Sequence, residues 1–350
     1  MTNLEQSICE KFNAHYGVFT GNGTTAMYLA FQALALQHKK VVFPAISCTN
    51  PVNAAIFAGY QVDFCDIQLS DYTIDVSLLE QMLSTGNYGI VVPTHIYGHR
   101  YNEKMVREIC DKYNAILFED AAQSFYIGNS DISVMSFGHT KACDTPLGGG
   151  IVFTNNEEIA RKIEQERNGL PKVGTSMQAL FNQYREQYYK IVKEENNWEE
   201  RNKRLKKLQL ESKKYFIFDS QYNPEIYAAL LKLDKIVCER RKKSELFEKY
   251  LNDLYIIKPH VADMFRWRYT FLYKGDRELF LKKVRNKGID ISSWYYSLAG
   301  IYKNEHLQNA DLVERQVINL WVDDTHSIER IKKEINILNI IMEETSYGNK

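Results

Sequence analysis

Apolar runs of four to six residues alternate with helix-period segments through the first half of the chain, and this alternation limits the fold most. The strand candidates are Lys40–Phe43, Gln61–Asp66, Gly89–Thr94, Ala115–Glu119, Ile132–Phe137 and Gly150–Thr154. Helix-period segments lie between several of them, among them Thr25–Leu36, Val52–Ala58 and Asn102–Tyr113. Strands joined by helices of this length predict a mostly parallel sheet covered on both faces. The expected class is α/β, with a large domain built on that sheet. In such sheets ligands sit beyond the carboxyl ends of the strands. Thr94-His95, Asp120 and Ser136 all fall at such ends.

The second half reads differently. Lys190–Lys214 is dense in charge and predicts a solvated helix or hairpin, within a charged helical excursion over about 175–215. Its acids are interleaved with its bases, which argues against a nucleic-acid patch. A long amphipathic helix is expected from Glu225 to Leu254. Strand Trp267–Tyr273, helix Arg277–Lys287, a further strand and helix Ser327–Met342 predict a smaller C-terminal α+β domain. The expected division is a large domain over residues 1–235 and a small one over 236–350.

Composition removes several function classes. The chain has 350 residues, and 44 Lys plus Arg balance 44 Asp plus Glu. A neutral chain without a basic block predicts no nucleic-acid partner. No apolar run reaches the length of a membrane span, and the first residues have no secretory-leader pattern. The six cysteines are scattered without a CxxC pair, so neither a metal site nor a disulfide framework is expected. Reduced thiols in a cytoplasmic protein are the simplest expectation.

The chemistry concentrates in Glu119-Asp120-Ala121-Ala122-Gln123 and in Ser136-Phe137-x-x-x-Lys141, followed by Gly148-Gly149-Gly150. An acid ending one strand and a lysine just past the next form the arrangement pyridoxal phosphate requires. The lysine forms a Schiff base, and the acid keeps the pyridine nitrogen protonated so that the ring accepts electrons. Each residue has a plainer reading alone: Lys141 as a solvated lysine, Asp120 as a helix N-cap. Together they are far more specific. Gly21-Asn22-Gly23-Thr24-Thr25 precedes a helix, and such a start offers free N–H groups, hydroxyls and a positive dipole end to a phosphate. Ser136 is the natural second phosphate contact, and Gln123 is placed for the ring substituents. His95, Tyr97 and His139 are candidates for substrate contact. For His95, a hydrogen-bonded structural role comes first.

These motifs resemble the DegT/DnrJ/StrS family of PLP-dependent nucleotide-sugar aminotransferases. Gly23-Thr24-Thr25-Ala26-Met27 resembles the family's GTxAL loop. Gly59-Tyr60-x-Val62-x-Phe64-x-Asp66-Ile67 with Tyr72–Asp75 resembles GAxPVFxDID…TxxID. Pro93–Gly98 resembles the strand ending in HxYG, and EDAAQ and SFxxxK…GG match directly. Arg167-Asn168-Gly169 is similar to a reduced R-x-H-G segment. The resemblance covers nearly the whole chain, most specifically residues 15–170.

The resemblance implies a fold-type-I aminotransferase with a seven-stranded sheet, dimeric, with active sites near the subunit interface. It implies Lys141 as the Schiff-base lysine, Asp120 on the pyridine nitrogen and Gln123 on the ring-hydroxyl side. Thr24 and Thr25, with Gly23 in the same loop, and Ser136 would hold the phosphate. The usual substrate is a nucleotide-linked keto-sugar and the usual donor glutamate, in amino-sugar or surface-polysaccharide (O-antigen, lipopolysaccharide) biosynthesis. Cys48 stands where the family carries an aromatic that stacks on the ring. The family's GYNYR segment falls before Glu225. Ungapped, that puts Ser220 at the neighbouring subunit's phosphate-binding asparagine and Tyr222 at the arginine, while Asn223 takes the asparagine role only with a backbone shift. Two other readings stay open: a sugar dehydratase or other fold-type-I reaction, and a non-catalytic homologue that binds a sugar nucleotide.

Overall fold

The computed structural model describes residues 1–172, 177–219 and 223–346. Its main sheet has seven strands: β1 Tyr16–Thr20, β2 Lys40–Pro44, β3 Val62–Cys65, β4 Tyr88–Val91, β5 Ile116–Asp120, β6 Ile132–Ser136 and β7 Gly150–Thr154. Their spatial order is β1-β7-β6-β5-β4-β2-β3. Strands β2 to β6 pair in parallel, and β7 runs antiparallel to both β6 and β1. Val41, Val42, Phe43 and Pro44 are all buried in succession, as are all five residues of β7. Burial without alternation means that both faces of the sheet are covered.

The six expected strands are present within a few residues of their predicted bounds. Strand β1 was not foreseen. Its five residues include Gly17, which dilutes the strand signal, and it is held by pairing with β7 rather than by a pattern of its own. Gly17 is required there, since a Cβ would stand 2.6 Å from Cys9 Sγ.

The smaller sheet comprises β8 Ile256–Ile257, β9 Tyr269–Tyr273, β10 Ile291–Ser292 and β11 Val317–Leu320, in the antiparallel order β10-β11-β9-β8. Helices Arg277–Asn286 and Ile328–Thr345 contribute Phe280, Leu281, Val284, Leu338 and Met342 to its core. The long helix Glu225–Tyr250 runs through residues 235 and 236 without a break. Its first half packs Ile226, Leu230, Leu233 and Val237 with Leu4 and Ile8, and its end puts Phe247 into the core of the small sheet.

The charged excursion departs from expectation. It forms helices Met177–Glu194, Trp198–Leu210 and Lys213–Phe216. Tyr184, Ile191, Leu205, Leu208, Tyr215 and Phe216 join the core of the large sheet. Gln209 bonds Tyr184 and Asn53, and Asn53 in turn accepts from Tyr302. Most of its charges occupy the outer face, apart from Arg201, which pairs with buried Glu314, so a segment that reads as solvated by composition is half core.

Candidate active site

The carboxyl ends of β5 and β6, the start of helix Gly23–Leu34 and the loop after β6 enclose a cavity of about 500 Å³. Gly23, Thr24, Cys48, Asp120, Gln123, Ser136 and Lys141 all line it. Asn22 caps the helix by accepting from Thr25 N–H at 2.8 Å. Gly23 abuts Ser136 so closely that a Cβ there would lie 3.1 Å from Ser136 Cβ. A side chain there would push the end of β6 back by a few tenths of an ångström, so glycine lets the helix N-terminus and β6 converge most closely.

Lys141 sits on the loop between β6 and β7, which is closed by Phe137 N–H to Gly149 O at 2.9 Å and Thr145 N–H to Phe137 O at 3.1 Å. Gly148 and Gly149 take φ of +65° and +137°, which favour glycine. The Lys141 ammonium stands 4.9 Å from the centre of the Trp267 ring. Burial holds its pKa below the ordinary lysine value. Cys48 and Asp120 oppose that shift, and Arg268 and Arg240 reinforce it.

Asp120 ends β5 and is buried. Oδ1 accepts from Ala122 N–H at 3.0 Å and Oδ2 from the Thr94 hydroxyl at 3.3 Å. Burial raises its pKa, against the pull of the Ala122 N–H, Lys141, His95 and Thr94. Gln123 Oε1 accepts from Tyr97 N–H at 2.7 Å, and its Nε2 donates to the Tyr295 hydroxyl at 3.4 Å. The Cys48 thiol, at the N-cap of helix Thr49–Phe57, is pushed up by burial.

Several candidate residues lie elsewhere. The Thr25 hydroxyl donates to Phe216 O at 2.7 Å, so it anchors the excursion rather than facing the cavity. His95 Nε2 pairs with buried Glu119 at 2.8 Å, the structural role expected first, and does not line the cavity. The Tyr97 hydroxyl is spent on Trp294 O and Tyr295 N–H. His139 is exposed. Asn223 Nδ2 donates to Thr145 Oγ1 at 2.8 Å and Gly148 O at 3.1 Å, so it braces the lysine loop of its own chain and is not free for substrate. Ser220 and Tyr222 lie outside the described residues.

Sequence reasoning missed the residues that arrive from far along the chain. Phe181, Tyr215, Phe216 and Phe218 form an aromatic wall of the cavity. Trp267 donates its indole N–H to Thr140 O at 2.9 Å, and Arg240 donates to Lys141 O at 3.2 Å. No local motif announces these contacts.

The cavity suits pyridoxal phosphate. Among the described residues the Lys141 amine has no hydrogen bond or ion pair, and it lines the same space as the buried carboxylate of Asp120, which makes no ion pair either. Gly23, Thr24 and Ser136 line the same cavity, where the start of the helix offers its N–H groups to a phosphate.

Residues 1–338 match the model of the DegT/DnrJ/EryC1/StrS aminotransferase family. The UDP-4-amino-4,6-dideoxy-N-acetyl-beta-L-altrosamine transaminase of Campylobacter jejuni is 30% identical over 178 residues, 48% of this chain and 47% of that protein. The matched part thus spans about half the length of such curated relatives. Among solved structures, Helicobacter pylori PseC, an aminotransferase involved in the biosynthesis of pseudoaminic acid, superposes with TM-score 0.75 at 18% identity, covering 97% of this chain and 90% of that one. A GDP-4-keto-6-deoxymannose-3-dehydratase superposes with TM-score 0.72 at 18% identity, over 97% and 91% of the two chains. At such identities the likeness concerns the fold, which transaminase and dehydratase share. By its family match, this chain belongs to the DegT/DnrJ/EryC1/StrS aminotransferases.

Proposed function

We propose that the chain is a pyridoxal-phosphate-dependent aminotransferase that moves an amino group from glutamate to a nucleotide-linked keto-sugar. The observation that carries this reading is the presence of Lys141, Asp120 and the Gly23–Thr24–Ser136 cradle on one cavity. When bound, the cofactor supplies an electron sink for the pair released at the donor's α-carbon. Lys141 Nζ, biased toward its neutral form by burial, takes the α-proton and later returns it. Asp120 holds a positive charge on the cofactor's ring nitrogen, and the Thr94 hydroxyl fixes the carboxylate's direction. Gln123, fastened by Tyr97 N–H and Tyr295, would meet the hydroxyl side of the ring. The aromatic wall of Phe181, Phe216 and Phe218 limits water on the far side.

Lys141 favours transamination over dehydration, because the resembling dehydratases carry histidine in its place. A homodimer in a reducing, cytoplasmic setting completes the proposal. It is supported by the exposed Tyr227 and Leu231 on helix Glu225–Tyr250 and by six free cysteines. Among the described residues, no helix is long and apolar enough to cross a membrane.

The test is the visible spectrum of the protein with added pyridoxal phosphate, before and after L-glutamate. Glutamate should convert the cofactor band to that of pyridoxamine phosphate, and Lys141→Ala should do neither step while staying folded. Full turnover in Lys141→Ala would sink the assignment.

A further inference from the structure

Three carbonyl oxygens around Lys141 converge on one buried guanidinium. Arg240, on helix Glu225–Tyr250, is 3% exposed. Its Nη2 donates to Thr140 O at 3.4 Å and Lys141 O at 3.2 Å, and its Nη1 donates to Trp267 O at 3.2 Å. Thr140 O also receives the Trp267 indole N–H at 2.9 Å. Thr140 itself takes φ of +73°, a region that a β-branched residue rarely adopts unless its surroundings impose it. Thr140 is held by these donors, which reach across from the C-terminal half of the chain, and by its own N–H, which donates to Asp144 Oδ2 at 3.0 Å.

We propose that Arg240 is the positioning residue for Lys141, holding the Thr140–Lys141 backbone so that the amine faces Asp120 and placing a positive charge beside it. The proposal rests on the aminotransferase reading for its purpose but not for its geometry. Arg240 donates its hydrogen bonds to neutral carbonyls, with Asp323, Asp324 and Asp144 offsetting part of its charge from farther off, and among the described residues its Nε has no partner. Arg268, fully buried and stacked at 4.4 Å on Trp267, is a second cation of the same kind. Cations near an amine favour its neutral form. The charged or titratable groups that bear on Lys141 are Cys48 and Asp120, which favour the ammonium, and Arg268 and Arg240, which oppose it. A lysine that must act as nucleophile and base needs that balance tilted toward the amine.

The test uses the cofactor-free protein. Trace acetylation of Lys141 is followed by mass spectrometry against pH, beside borohydride capture of pyridoxal phosphate on the same residue. In Arg240→Gln the titration of Lys141 should move to higher pH, cutting labelling at neutral pH at least about threefold, equivalent to half a pKa unit. Arg240→Lys keeps the charge and should restore most of the pH profile. A folded Arg240→Gln with wild-type labelling and capture would overturn the proposal. If that variant does not fold, Trp267→Phe decides: it keeps an aromatic ring beside Lys141 and Arg268 but removes the indole N–H from Thr140 O, and should slow capture. Capture at the wild-type rate would overturn the positioning role. A wild type whose Lys141 never captures pyridoxal phosphate would defeat the aminotransferase reading, while the labelling profile would still decide on Arg240.

Discussion

The Thr94 hydroxyl donates to Asp120 Oδ2 across 3.3 Å, and with its one proton so used it accepts from Ser47 Oγ, also at 3.3 Å. The two hydroxyls lie behind the carboxylate, at the ends of neighbouring strands. Their dipoles direct the buried charge of Asp120 into the cavity. Thr94→Val keeps the shape and removes the donor. It should weaken pyridoxal phosphate binding by ~1 kcal/mol, measured by fluorescence titration. Asp120→Asn removes the charge as well and should slow the glutamate half-reaction about a hundredfold, the loss expected for a hydrogen bond to a charged group worth ~2–3 kcal/mol.

The same carboxylate costs stability when no cofactor faces it. Burial raises its folded-state pKa above the unfolded value. Between those two values the folded state binds more protons than the unfolded state, so stability falls as pH rises. Cofactor-free Asp120→Asn should therefore melt above the wild type at neutral pH. The gap should close as pH drops below the ordinary aspartate range, where both states are protonated. Saturating pyridoxal phosphate should reverse the order at neutral pH, because only the charged carboxylate pairs with the ring nitrogen. Thermal melts at three pH values, with and without cofactor, check the sign.

Cys48 lines the cavity, at the position where the family resemblance leads one to expect a ring-stacking aromatic. A thiol offers a ring face much less contact than an aromatic does. Cys48→Phe should tighten pyridoxal phosphate binding severalfold, matching ~1 kcal/mol for a stacked aromatic pair. Weaker binding would mean that another side chain already occupies that face. Burial also keeps Cys48 in its thiol form, so alkylation at neutral pH should be slow and should stop once the cofactor is bound.

Legibility in the sequence followed the range of the interactions. The placement of Lys141, Asp120, Gln123 and Ser136 on one cavity was readable because each sits at a strand end or its following loop, and local pattern places such positions. Thr25 does not line the cavity, and its hydroxyl answers to Phe216 and Phe218, almost two hundred residues on. His95 and Tyr97 look like ligands in a strand-end motif, yet their polar atoms are satisfied by Glu119 and by the 294–295 backbone. Arg240 and Trp267 have no local signature, because their role exists only once the C-terminal half packs against the lysine loop. Strand β1 escaped for a related reason: pairing with β7 stabilises it more than composition does.

The charged excursion offers the clearest test of how composition misleads. Leu205 is fully buried on helix Trp198–Leu210, whereas Lys203, two residues earlier, has a side chain 80% exposed. Leu205→Ala should destabilise the protein by ~2–5 kcal/mol, the range for emptying a buried leucine site. Lys203→Ala should stay within ~0.5 kcal/mol of the wild type. Phe216 shares that core and lines the cavity, and Thr25 bonds its carbonyl. Loosening the helix therefore reaches the site itself. In Leu205→Ala, pyridoxal phosphate affinity should fall together with stability, measured by denaturant unfolding and cofactor titration on the same preparation. A variant that unfolds like the wild type would return the segment to the solvated role its charges suggest.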